Sequence, residues 1–369
     1  MKLLYLTHSR IPTQKAHGLQ VMVMCEAFAA AGAEVSLVVP DKRNFTGEDP
    51  FAYYGVTKNF SITRLPISDF GSRWQMFNAL FFWLDVWSFA RALRRCSAVH
   101  RSDVLYTRDY PLLFALPRAR AVVLELHSIP KRGWLFNRAL ARTTHVVAIT
   151  QALKDDLVAL GVDPNKITVA PDGVNVRLFE HQIMQQEARQ RLGLPHEGAL
   201  ALYVGALGGW KGTETLVAAA EGLAEPQVAL VGADAAEVPV LSKKYPYAHF
   251  VAYLPYRELP RVLAAADLLV LPNTARQEIS ARYTSPLKLF AYMASGKPII
   301  CSDVPSIREV LDDSSALFFK SDDPADLREK LRYALAHKDE MAARAKRALE
   351  LVQHYTWDKR AEQILTFLG

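Results

Sequence analysis

Residues 199–216 read ALALYVGALGGWKGTETL. The apolar run 199–204 suits a buried strand, 205–212 is a glycine-rich loop, and 213–221 has helical character. Strand, loop and helix in that order open a parallel α/β layer. The stretch is decisive because the chain has begun this way once already. At the start, residues 2–7 form a short apolar strand, 8–18 a loop, and 19–31 a helix that Gly32 stops before a second strand at 35–39. Further strands are expected at 62–65, 104–106, 122–126, 146–149 and 167–169, with helices at 136–142 and 151–160.

A polar helical stretch (182–192) and the turn Gly193-Leu194-Pro195 then precede the quoted segment. The restarted pattern continues through strands at 228–231, 250–252, 268–271, 298–301 and 316–319. Its best-marked helix, 324–336, has Asp323 as N-cap and Pro324 in its first position. A chain of 369 residues exceeds one ordinary core. No short period marks a solenoid. The expectation is an α/β protein of two Rossmann-like domains split near residue 195, with function in the loops after strands.

Four glycines, Gly205, Gly208, Gly209 and Gly212, let the backbone of the 205–212 loop approach a ligand closely. The helix beginning at Thr213 points free N–H groups into the loop, and Lys211 adds a positive charge. That combination suits a phosphate. It is neither a Walker A loop, because Trp210 and Gly212 flank the lysine, nor the GxGxxG fingerprint. A plain glycine turn with a solvated lysine is the alternative.

A second anion site is legible in TSPLKLFAYMASGKPII, residues 284–300. Ser285 reads as N-cap and Pro286 as the first helical residue, so Leu287 and Lys288 offer N–H groups beside the Lys288 ammonium. Two such termini in one domain suit a diphosphate. In the first domain Gly18 precedes the first helix, and His127 follows the strand VVLEL at the carboxyl edge of the sheet. Paired catalytic carboxylates, metal-ligand clusters and a serine nucleophile elbow are not apparent, so no metal site is expected.

Lys and Arg number 44 against 38 Asp and Glu, a net charge of +6, with a pI near 9.1. The surplus favours anionic partners, phosphorylated small molecules or a membrane surface. No stretch interleaves clustered basic residues with aromatics in the manner of a nucleic-acid binder. Three scattered cysteines suit a reducing compartment. Residues 74–90, WQMFNALFFWLDVWSFA, are too short to span a bilayer and are followed by Arg91, Arg94 and Arg95. They read either as a buried helix or as one lying at a membrane interface. With no targeting segment expected, the protein is placed in the cytoplasm, with peripheral attachment to the inner membrane face left open.

Taken in order, the loop before Gly18, ELHS, APDGVNVRLF, VGALGGWKG, SPLKLFAYMASGKPI and YTWDKRAEQIL resemble glycosyltransferase family 4 over essentially the whole chain. The resemblance implies the GT-B fold, two Rossmann-like domains facing across a cleft, and retaining, metal-independent transfer from a nucleotide-sugar co-substrate without other cofactor. It implies an acceptor-binding domain at 1–195, a nucleotide-sugar domain at 196–350, and a closing helix at 351–369 that returns to the first domain. Acceptor contacts would fall near Gly18 and in the 44–78 region.

By the same resemblance Lys211 and His127 serve the reaction, at the donor phosphates and the transferred sugar. Gly18, Gly205, Gly209, Tyr283, Ser285, Leu287 and Lys288 line the donor. The partners implied are a nucleotide-sugar and a glycan or lipid-linked acceptor. Three positions depart from the family pattern. Ala206 stands where many members carry arginine, and the family's pair of glutamates falls on Tyr283 and Ala291, with Glu278 nearby but out of register. Two other readings follow: a catalytically weakened partner subunit, or a sugar-nucleotide epimerase on the same fold.

Overall fold

The computed structural model describes residues 1–42, 47–68, 78–117, 121–130, 133–181 and 183–369. It contains two parallel sheets covered by helices. The first comprises β1 (Lys2–Leu6), β2 (Glu34–Asp41), β3 (Ser61–Pro66), β4 (Val104–Thr107), β5 (Ala121–Leu126), β6 (His145–Ala148) and β7 (Ile167–Val169), in the order β3-β2-β1-β4-β5-β6-β7. The second comprises β8 (Leu200–Val204), β9 (Gln227–Ala233), β10 (Ala248–Ala252), β11 (Leu268–Leu271), β12 (Ile299–Ser302) and β13 (Leu317–Phe319), ordered β10-β9-β8-β11-β12-β13. The inner strands are apolar on both faces because helices cover both sides of a parallel sheet. Strand order reverses between β1 and β4 and again between β8 and β11. Such switch points are where open α/β sheets leave room for ligands.

The chain divides into one compact unit of Met1–Pro171 with Trp357–Gly369, and another of Asp172–Thr356. The division precedes residue 195 because the intervening helix, Gln185–Leu192, packs into the second core through Ala188. Its Arg189 donates to Ala265 O at 2.9 Å and pairs with Asp267 at 2.6 Å. Residues 351–356 also lie in the second unit, where Val174 N donates to Tyr355 O.

The closing helix, Trp357–Leu368, packs on the first helix, Ala16–Ala30, burying Trp357, Ala361 and Ile364. Two Rossmann-like units with a last helix returned to the first constitute the GT-B architecture.

The first helix starts at Ala16, three residues before the expected 19, so Gly18 lies in its first turn. Gly32 ends it with φ 92°, as expected of a left-handed stop. The helix Asn78–Arg95 covers most of the aromatic stretch and has one buried and one exposed face. Asp85, Val86, Phe89 and Leu93 are buried, whereas Phe82, Trp83, Trp87 and the three arginines are exposed. Residues 74–77, and 44–46 and 69–77 of the expected acceptor region, lie outside the described residues. No helix among the described residues is long and apolar enough to cross a membrane.

Candidate functional site

In the second unit β8 delivers Gly205 to the switch point, where its N–H donates to Val231 O at 2.8 Å. Gly205 has φ 134°, and a Cβ there would lie 2.7 Å from Lys288 Nζ. Gly212, with φ 67°, sits against the turn after β11; its Cβ would fall 1.8 Å from Pro272 O. The two loops therefore pack backbone to backbone, which only glycine permits. Thr213 Oγ1 accepts the Gly208 N–H at 2.8 Å, while the N-terminus of the helix Thr213–Ala220 has no side-chain cap. Lys211 lies in the turn just before it, with Nζ 4.7 Å from the centre of the Trp210 ring.

The helix Leu287–Ala294 presents Lys288 to the same loop. Lys288 Nζ donates to the Tyr203 hydroxyl at 2.6 Å, and that hydroxyl donates to Ala206 O at 2.9 Å. The Tyr292 hydroxyl accepts the Val204 N–H at 2.8 Å. Burial first, and the charge of Lys211 second, lower the Lys288 ammonium to about 7. Among the described residues neither lysine pairs with a carboxylate. Two lysines and two helix N-termini without side-chain caps thus surround glycine backbone, an arrangement whose electrostatics favour a polyvalent anion.

One expectation changes here. Ser285 is not the helix cap: its hydroxyl accepts the Asp172 N–H at 2.8 Å, and Pro286 is the N-cap residue. The hydroxyl is drawn to the neighbouring segment, while proline needs no N–H partner at a helix start. Tyr283 is buried, and its hydroxyl donates at 3.1 Å to Glu278, which Arg282 also holds. The short helix carrying Glu278 packs against the Lys211 turn. Ala291 is fully buried among Leu289, Phe290 and Met293, so that position belongs to the apolar core.

In the first unit His127 lies just beyond β5, with 23% of its side chain exposed, and Nε2 is 2.6 Å from Glu125 Oε1. Glu125 is buried. Gln20 Nε2 donates to it at 2.6 Å, the Tyr106 hydroxyl donates to it, and Arg360 Nη2 pairs with it at 3.1 Å. Burial alone would raise this carboxyl, but Arg360 and the His127 hydrogen bond hold it well below the usual carboxylate range. His17, in the first helical turn, is lowered to about 4 by burial, then by Arg108, Lys15 and His127. Gly18 is fixed by packing, since a Cβ there would lie 2.3 Å from the Tyr54 hydroxyl. That hydroxyl donates to Thr13 O at 2.8 Å and accepts the Thr13 N–H at 2.7 Å.

Sequence reading missed Glu125, Tyr203 and Arg360. For Glu125 a signal existed: a charged residue inside the apolar strand run VVLEL has to find partners.

The sequence model of the family described as Glycosyltransferase Family 4 matches residues 18–178, and that described as Glycosyl transferase-like matches 213–366. TuaC of Bacillus subtilis, named as a glycosyltransferase of teichuronic acid biosynthesis, is 30% identical over 188 residues, covering 50% of this chain and 45% of that protein. The chain thus spans under half the length of that relative. D-inositol 3-phosphate glycosyltransferase of a Nocardioides species is 29% identical over 332 residues, covering 75% of this chain and 70% of its own. Among solved structures, Anabaena HepE with UDP and glucose shares the fold with a TM-score of 0.74 and 16% identity, covering 100% of this chain and 99% of that one. Sucrose-phosphate synthase of Thermosynechococcus elongatus does so with a TM-score of 0.76 and 19% identity, covering 100% and 98%.

Proposed function

We infer that this chain, related to the family 4 glycosyltransferases and built on the GT-B fold, moves a sugar from a nucleotide-sugar to an acceptor hydroxyl with retention at the anomeric carbon. The observation that carries the reading is the pair Lys211 and Lys288, two ammonium groups without a carboxylate partner among the described residues, set at one glycine-rich switch point. HepE with UDP and the inositol-phosphate relatives support the substrate class.

In this reading Asp172–Thr356 holds the donor and Met1–Pro171 the acceptor. Gly205 and Gly209 let the diphosphate approach the backbone, and the Leu287 and Lys288 N–H groups face it from the second helix. As the bond from the anomeric carbon to the phosphate oxygen breaks, negative charge grows on the diphosphate. Lys211 and the helix termini stabilise that charge most in the transition state. The acceptor oxygen bonds to the same face of the anomeric carbon, and its proton passes to the departing phosphate oxygen. His127 contacts the sugar, and Tyr283 with Glu278 borders the donor.

We assign the exposed face of the helix Asn78–Arg95 to an anionic membrane surface, which suits a lipid-linked or cell-surface glycan acceptor. The test is a thermal-shift panel of UDP-, GDP- and ADP-sugars followed by product analysis. A ligand-dependent rise in Tm with sugar transfer or donor hydrolysis bears the reading out. Binding without turnover makes the chain a partner subunit, and an isomerised sugar makes it an epimerase.

A further inference from the structure

A carboxylate with no exposed side-chain surface at the end of β5 requires full compensation, because an unpaired buried charge is strongly unfavourable. Arg360, itself 4% exposed, would suffice as a counter-ion. It is held in place by its own Nε, which donates to Pro171 O at 2.9 Å and Ala170 O at 3.2 Å. Yet Glu125 gathers three further donors from three other places. They are Gln20 of the first helix, Tyr106 of β4, and His127 two residues along its own strand. Gln20 is fixed in turn by Arg108, whose Nη1 donates to its Oε1 at 2.9 Å. Of the residues on Glu125, His127 stands at the open end of the strand. An anion on one ring nitrogen decides which nitrogen carries the proton and fixes the ring plane.

We propose that Glu125 is a positioning residue for the reaction: it holds the His127 ring through Nε2–H, and the closing helix takes part because Arg360 anchors that carboxylate. This rests on the reading that His127 contacts the sugar. Any polar contact from the ring to a substrate then runs through Nδ1. The last helix is thereby part of the working site as well as of the fold, and His127 is tied to a residue far along the chain.

The test uses the full chain carrying ¹⁵N-labelled histidine, with His127→Gln assigning the resonance. At pH 8 wild type is expected to show the proton of His127 on Nε2. The neutral pair Glu125→Gln with Arg360→Met removes both members of the Glu125–Arg360 charge pair together, so it keeps the test usable if Glu125→Gln alone does not fold. In that double variant His127 should populate both tautomers. Turnover should fall about tenfold or more with the donor KM within about twofold, the pattern of lost alignment rather than lost binding. The single variant Arg360→Lys, with Glu125 intact and the positive charge kept, should retain the wild-type tautomer and most of kcat. A wild-type His127 protonated on Nδ1 instead of Nε2 overturns the proposal, as does a folded double variant with wild-type kcat and tautomer. Should wild type transfer no sugar at all, the tautomer measurement still decides the positioning claim, and the failure belongs to the proposed reaction.

Discussion

Lys288 passes over Gly205, where a side chain would come within 2.7 Å of its ammonium nitrogen, and ends on the Tyr203 hydroxyl. The missing Cβ at 205 thus does two things at once. It leaves backbone open to a ligand, and it lets a cation from a distant helix enter the glycine-rich loop.

Titration of Lys288 sets a pH dependence with two opposite signs. Its ammonium is lowered to about 7 in the folded chain, against 10.5 for an ordinary lysine, so the unfolded chain binds the proton more tightly. Stability therefore rises with pH between about 7 and 10.5, and the full cost of the charge is felt below 7. Lys288→Met is expected to melt at a higher temperature than wild type at pH 6.5, with the gap shrinking toward pH 10. Binding of UDP should do the reverse: wild type loses affinity above pH 7 as the ammonium deprotonates, and the variant binds weakly throughout. Calorimetric titration and melts across that range check both. A gap in Tm that grows with pH would contradict the assignment.

Lys211 is expected to matter more for turnover than for donor binding, because the charge it faces grows toward the transition state. Lys211→Ala should lower kcat by about 10²-fold with a smaller change in donor KM. Steady-state kinetics on a donor found in the panel decide this, and wild-type turnover would remove the lysine from the chemistry.

Ala291 has no exposed surface and sits in the second core. A carboxylate placed there enters apolar surroundings, so Ala291→Glu is expected to destabilise the chain by about 3 kcal/mol or more. Chemical denaturation measures it. An unchanged midpoint with tighter binding of UDP than of its 2′,3′-dideoxy analogue would instead put position 291 beside a ribose.

The helix Asn78–Arg95 supplies its own control, since its two faces differ in burial. Trp83→Ser with Trp87→Ser should abolish co-sedimentation with anionic vesicles and leave the melting curve unchanged, whereas Phe89→Ser should unfold the unit. Wild-type binding should weaken with added salt as the arginines are screened. If wild type does not bind such vesicles at low salt, the exposed tryptophans do not serve a membrane.

The sequence by itself determined the two α/β repeats, nearly every strand, the glycine-rich loop with Lys211, and the place of His127 at a strand end. These follow from local physics: apolar runs mark inner strands, Gly32 and Gly193 stop helices, and Asp323 with Pro324 starts one. Only the tertiary structure decided that Lys288 meets Tyr203, that Ser285 serves Asp172 instead of its own helix, and that Glu125 joins His127 to Arg360. It also decided that Ala291 faces the core and that 172–195 belong with the second unit. The reason is one of range. Backbone preference and burial period are carried by neighbouring residues, whereas the partner of a buried charge or hydroxyl depends on which strands lie side by side. In a parallel sheet those strands are separated in sequence by whole crossover connections.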